Sequence, residues 1–342
     1  MAHIQELLAG RANELNYSEL LTRYPWIIRR NMNCILSPDS DGLLCGLFMS
    51  KYFGWKVVGY YDGKVMLLKD GVSTHDDNCA FLDMEIYRPH VKSVGHHMVL
   101  WNRKTQPLDW QQKYAGCIQP NLLRRYDGKN EFRLKYPLAT IHLLIGIVGH
   151  VQSIRIPQSA IAPLFFVDGT FNVLYSYPEN VLNWLNYLGI QNQDSPLRDI
   201  FMHEHYTVYS QIVAMDDFFR LRDTLNVTGE RGDKFVISTK NSEIKNAEVD
   251  GHETFRITDK AKEKVEGFIR ILSEATGWDY VQDHWTFSGL RGYSFSKSSF
   301  EAEGWRINNR TFDALLALNP LSWAMTSGAN IEFTLENPSH LP

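Results

Sequence analysis

Apolar positions in the first two hundred residues fall into short runs whose period keeps switching. Leu7, Leu8, Leu15, Leu20 and Leu21 recur at roughly helical spacing and predict an amphipathic helical start. Residues 32–36 predict a strand, and the apolar stretch from Leu43 to Met49, opened by Gly42, predicts a helix. Residues 56–61 and 65–68 predict two strands joined by a turn at Asp62 and Gly63, and 79–82 and 91–94 predict two more. A helix over 138–148 follows Pro137, with a strand at 164–167 and a helix at 178–188 after it. Strands alternating with helices imply an α/β fold with a doubly wound, mostly parallel sheet.

The polar stretch from Ile190 to Pro196 interrupts that alternation and predicts a boundary. Residues 1–190 then form one domain and 191–228 a connecting linker with a long helix over 197–225. Residues 229–342 form a smaller α+β domain. Within the latter, strands are expected at 234–238, 254–257, 285–295 and 329–335, and a helix at 258–276. A length of 342 residues suits two domains.

Charge and cysteine content narrow the class. The net charge is 35 − 39 = −4, so no global basic field is available to hold long duplex DNA, although a local basic groove stays open. Cys34, Cys45, Cys79 and Cys117 form no CxxC pair, which argues against a zinc ribbon or redox motif and fits reduced thiols in a cytoplasmic protein. No signal-peptide pattern opens the chain, and the densest apolar segment, 141–148, is too short to span a bilayer.

The candidate chemistry is a series of acidic and imidazole residues that end apolar runs of strand length. Asp39 and Asp41 stand in Ser37-Pro38-Asp39-Ser40-Asp41-Gly42, Asp83 follows Leu82, His96 and His97 follow Gly95, and Asp168 follows Val167. Open α/β sheets build their sites at strand ends. Asp39 and Asp41, two apart, share a face if the segment is extended, although Asp at a helix start is also a capping residue. Asp with His suits Mn²⁺, Fe²⁺ or Zn²⁺ better than Ca²⁺. One or two such ions would activate a water for hydrolysis. The group His203-Glu204-His205 falls on the expected 197–225 helix, where neighbours two apart do not share a face, and reads as structural.

The order of these groups resembles the motifs of the DHH phosphoesterase superfamily. In that family an Asp-x-Asp, a lone Asp, an Asp-His-His and a further Asp succeed one another. The matching residues here are Asp39 with Asp41, then Asp83, then His96 with His97, then Asp168. The run from Lys135 to Thr140 is similar to the start of the helix between the third and fourth motifs, and the likeness covers about residues 30–190. Gly95 stands where the family has the Asp of its triplet, and Ile35 and Ser37 stand where many members carry a further ligand.

The resemblance implies a hydrolase using Mn²⁺ or Mg²⁺ on a phosphodiester, with Asp39, Asp41, Asp83, His96 and Asp168 as metal ligands and His97 beside Asp83 in catalysis. The expected substrate is nucleotide-like, a short oligonucleotide or the end of a single-stranded nucleic acid. Arg124, Arg125, Arg291 and Arg306 are the candidate phosphate contacts. Two other readings stay open: a non-catalytic nucleic-acid scaffold on a degraded fold of this type, and a phosphohydrolase for pyrophosphate, polyphosphate or a cyclic dinucleotide.

Overall fold

The computed structural model describes residues 14–99, 108–124, 134–225, 235–251, 253–305 and 312–342. Helices in chain order are α1 (Tyr17–Arg23), α2 (Ser40–Phe53), α3 (Trp110–Lys113), α4 (Pro120–Leu123), α5 (Thr140–Gly149) and α6 (Ile161–Phe166). They continue as α7 (Thr170–Ser176), α8 (Pro178–Tyr187), α9 (Leu197–Phe201), α10 (Val208–Asp223), α11 (Asp259–Thr276) and α12 (Phe312–Ala317). The strands are β1 (Asn33–Leu36), β2 (Lys56–Tyr61), β3 (Val65–Lys69), β4 (Cys79–Leu82), β5 (Lys92–Val94) and β6 (Cys117–Ile118). Later come β7 (Ala247–Val249), β8 (Phe255–Ile257), β9 (Leu290–Ser299), β10 (Ser322–Met325) and β11 (Ile331–Pro338).

The fold is α/β, built on a mixed sheet in the order β10-β11-β9-β3-β2-β1-β4-β5-β6. From β2 through β1, β4 and β5 to β6 every pairing is parallel. From β2 outward through β3, β9, β11 and β10 every pairing is antiparallel. An expectation of a mostly parallel sheet therefore describes one half only. The reversal happens at the turn between β2 and β3, where Asp62 Oδ1 accepts from the amides of Lys64 and Val65 at 2.9 Å each. Two strands cannot return parallel through so short a loop. Strand β9, from the C-terminal segment, pairs with β3 over five residues, so one sheet runs through both halves of the chain.

Apolar character all round makes α2 a buried helix. Leu43, Leu44, Leu47, Phe48 and Met49 are all at or near zero exposure. Truncating Leu47 to Ala would cost about 2–5 kcal/mol. The helix follows β1, packs against α5 and α11, and ends at Gly54 in the left-handed region. It thereby carries its own N-terminus to the end of β1.

Several expectations change. Residues 164–167 are helical, belonging to α6 and the single 3₁₀ turn after it. A short run apolar on all sides carries no period that separates a strand from a buried helix. The expected 197–225 helix is two helices, α9 and α10, interrupted between them; Thr207 caps α10 by accepting from Ser210 N. His203, Glu204 and His205 lie in that interruption, not on a helix. Residues 285–289 precede β9, with Gly289 at φ 64°, and residues 235–238 make only a bridge from Ser238 to Ile244. Residue 234 lies outside the described residues, as do Leu7 and Leu8.

Candidate metal centre

The parallel strands are in register at their ends: Leu36 lies opposite Leu82, Leu82 opposite Val94, and Val94 opposite Ile118. Strand β1 has β2 on one side and β4 on the other, so chain order reverses beside it. A reversal of this kind leaves a crevice at the carboxyl ends of the strands. Asp39 and Asp41 follow β1, Asp83 follows β4, and His96 and His97 follow β5. All five emerge at that crevice.

The fourth element arrives differently. Asp168 lies in the helical turn after α6 and closes on the group from a helix end. Its backbone and that of Asp83 are both left-handed, at φ 51° and 58°. Asp tolerates that region better than most residues, but it still costs energy, and such residues collect where a structure holds side chains for a purpose.

One hydroxyl organises the centre. Thr140 Oγ1 donates to Asp83 Oδ1 at 2.6 Å and lies 2.8 Å from His96 Nδ1. A hydroxyl has one proton, so with Asp83 ionised it accepts from His96 Nδ1–H. That tautomer leaves Nε2 as a bare lone pair, and Nε2 sits 3.3 Å from Asp168 Oδ2. Two acceptors thus face each other, an arrangement that needs either a proton or a cation between them. The other oxygen of Asp83, Oδ2, is buried and has no hydrogen-bond partner among the described residues. Asp83, His96, His97 and Asp168 each offer an atom within 4.8 Å of the others. Ligands around one ion lie roughly 3–4 Å apart at bonds of about 2.1 Å, so a modest closing movement would let this group hold a divalent metal. The orphaned Oδ2 and the bare Nε2 fit one.

Burial, then the charges of Asp41, Asp39 and Asp168, hold the Asp83 carboxyl well above the usual carboxylate range. Loss of water and then the charge of Asp41 do the same to Asp168, whose side chain sits at the rim. Burial, with the nearby charges of His97 and Lys135, keeps His96 well below the ordinary imidazole value and therefore neutral, the form that ligates metal. Burial would also lower His97, but Glu85 and Asp168 outweigh it and raise its value. Lys135 is lowered by burial, against the pull of Glu85 and Asp168.

Asp41 and Asp39 do not sit side by side on an extended segment as expected. Asp39 is the N-cap of α2, accepting from Gly42 N at 3.2 Å and from the Ser37 hydroxyl at 2.8 Å. Asp41 lies inside the helix and accepts from the first amides of α5, Thr140 N at 2.6 Å and Ile141 N at 3.0 Å. Its carboxylate, wholly buried and 3.8 Å from His96, joins two helix starts to the cluster. Helix formation explains the difference: a helix began one residue after the strand-end Asp, and the capping chemistry of Asp took effect.

Other candidates lie elsewhere. Arg124 stacks on Trp184 and Tyr187 at 4.4 and 4.5 Å and donates to Asn183. Arg291, on β9 three strands from β1, pairs with Asp70 beyond the far end of β3. Arg125 and Arg306 lie outside the described residues. Glu85, Thr140 and Lys135 belong to the centre although sequence reasoning passed over their side chains. The position of Glu85 two residues after Asp83 was the available signal.

A cavity of about 490 Å³ opens from Asp39, Asp83, Glu85 and His97 toward the antiparallel half, where Lys64, Lys297, Phe235 and Thr326 line it. Among the described residues no helix is long and apolar enough to cross a membrane. Comparison with known proteins finds no match, whether with family models, curated proteins or solved structures.

Proposed function

We propose that this protein is a metal-dependent phosphoesterase of DHH-like, doubly wound type, cleaving a phosphodiester in a nucleotide-like substrate. The observation that carries the reading is the pairing of His96 Nε2 with Asp168 Oδ2 at 3.3 Å beside the unpartnered Asp83 Oδ2. Acceptors gathered in this way at a strand-end crevice, with a proton or a cation needed between them, support a cation site that opens on a cavity. Asp83, His96 and Asp168 would hold the ion, Mn²⁺ or Mg²⁺, with Asp41 fixing the helix ends around it. When bound, a divalent ion supplies Lewis-acid charge and lowers the pKa of water.

The protein's own groups do the rest. His97, partly exposed at the cavity wall, is raised above the ordinary imidazole value against its burial by Glu85 and Asp168. It can hold a phosphate oxygen or protonate a leaving group. Thr140 keeps the His96 tautomer fixed. Asp39 and Glu85 line the cavity beside the centre and repel a bare anion there, whereas Lys64 and Lys297 line its other side.

Labelled oligonucleotides and dinucleotides incubated with the protein and Mn²⁺ test the reading. Release of phosphomonoester ends, abolished by EDTA and by Asp83→Asn, is the expected result. Metal binding without cleavage of any of these substrates would instead favour the non-catalytic scaffold.

A further inference from the structure

Gly95 looks like a gap at first, the place where the resembling family carries an acidic side chain just before its two histidines. Space around it says otherwise. A Cβ built on Gly95 would lie 2.5 Å from Glu85 Oε2, 2.6 Å from its Cδ and 2.9 Å from its Cγ. Position 95 has no room for a side chain because the Glu85 carboxylate already fills it.

Glu85 is almost fully buried, at 1% exposure, and reaches the histidine turn from the neighbouring loop. Oε1 accepts from Met98 N at 2.8 Å, and Oε2 lies 3.7 Å from His97 Nδ1. The loop that delivers it is pinned on both sides: Met84 N donates to Val94 O and Ile86 N to Ser93 Oγ. Asn121 donates to the carbonyls of His96 and Met98, and Gly95 N to Ile118 O. Asp83 Oδ1 also approaches His97 Nδ1, at 4.0 Å, slightly farther than Glu85 Oε2.

We infer that Glu85 is the positioning residue of the His96–His97 turn, supplying from the β4 loop the carboxylate that position 95 lacks. His96 is carried on the turn that Glu85 holds through Met98 N and His97, and losing a partner that fixes a ligand in place typically costs about 10–100-fold in metal affinity. The inference rests on the centre being a metal site, but not on which bond it hydrolyses. It also makes Glu85 and Gly95 a matched pair. An acidic side chain at 95 is excluded while Glu85 is present and becomes useful once Glu85 is gone.

Mn²⁺ and Co²⁺ titrations by calorimetry, with the Co²⁺ absorption spectrum as a report on ligand geometry, test this on the full chain. Wild type, Glu85→Gln, Glu85→Ala, Gly95→Asp and the double variant Glu85→Ala/Gly95→Asp are compared, with circular dichroism as the check on folding. Glu85→Gln keeps the volume and the Met98 acceptor, and it is expected to weaken Mn²⁺ binding about 10-fold or more and to alter the Co²⁺ spectrum. Gly95→Asp alone should also weaken binding, whereas the double variant should recover to within about threefold of wild type, the full reversal of that loss. Equal affinity in wild type and Glu85→Gln overturns the inference, as does a double variant no better than Glu85→Ala. Should Glu85→Ala fail to fold, Glu85→Gln decides. Wild type that binds neither ion removes the metal reading itself and this inference with it, a result distinct from a wild type that binds and a Glu85→Gln that binds equally.

Discussion

Two regions of this molecule bury charge, and they do so in opposite ways. At the ends of the parallel strands, Asp41 and Asp83 are wholly buried beside His96, a group kept neutral. Where the antiparallel half meets the loop after β4, Arg88 is buried against Glu336 at 2.6 Å and also donates to the carbonyls of Tyr87, Pro320 and Asn319. The second region is complete: every charge has a countercharge and every guanidinium direction an acceptor. The first is incomplete, with surplus acceptors and a strained backbone. Complete networks hold a fold together, while each buried polar group left unpaired calls for an explanation.

The most severe test of this contrast is Asp83→Asn. Asn keeps the shape and tolerates the left-handed backbone at φ 58°, so the fold should survive. Metal affinity should fall by more than about 100-fold, exceeding the loss from an orienting partner alone. Calorimetric titration of Mn²⁺ reads it; retained affinity would erase the difference between the regions. Arg88→Met should do the reverse. It leaves Glu336 buried without its partner and should cost about 3 kcal/mol, measured by urea unfolding, with Mn²⁺ affinity unchanged.

Acidity gives the two regions opposite signs. Partial burial raises Glu336, but the Leu341 amide and then Arg88 outweigh it and lower its value. Its contribution is present above the unfolded value and is lost as pH falls through the lower folded value. Asp83 is raised, so the native state binds more protons than the unfolded one. Stability of metal-free protein should therefore fall as pH rises from the unfolded carboxylate value, about 3.9, through the higher native value. Melting curves in EDTA between pH 5 and 8 should show that decline, and saturating Mn²⁺ should abolish it by binding only the folded state. The lowered values of His96 and His142 act in the opposite sense, so Asp83→Asn is the reference, and equal slopes in the two proteins would mean that Asp83 titrates normally.

Smaller effects sharpen the picture. Thr140→Val removes the hydroxyl shared by Asp83 and His96, and should weaken Mn²⁺ roughly 10-fold and cost about 1–3 kcal/mol. Arg291→Ala, which opens an exposed pair with Asp70, should change neither the melting temperature nor metal binding measurably. A clear loss of binding there would return Arg291 to the functional candidates.

Most strands before residue 100 were legible because short apolar runs bounded by turn residues act locally: 79–82 match β4, and 56–61 match β2. The carboxylates and imidazoles before residue 100 could be named as a series because they follow such strands. Residues 164–167 could not be assigned, since a short apolar run hides its period, and so the route by which Asp168 arrives was unreadable. Arg124 and Arg291 were equally opaque, because a cation's partner is set by whichever ring or carboxylate the fold brings near.

The sequence by itself determined the chemical inventory and its order: four aspartates, two adjacent histidines and a glycine before them, all but Asp168 set after strands. Only the tertiary structure decided what those groups do to one another. It made Asp39 and Asp41 helix-capping groups, set Thr140 between His96 and Asp83, and brought Glu85 into the space that Gly95 leaves. The physical reason is range. Propensity and period act over a few residues, whereas contacts such as Asp41 with Thr140 span 99 positions and exist only after parallel strands align their ends.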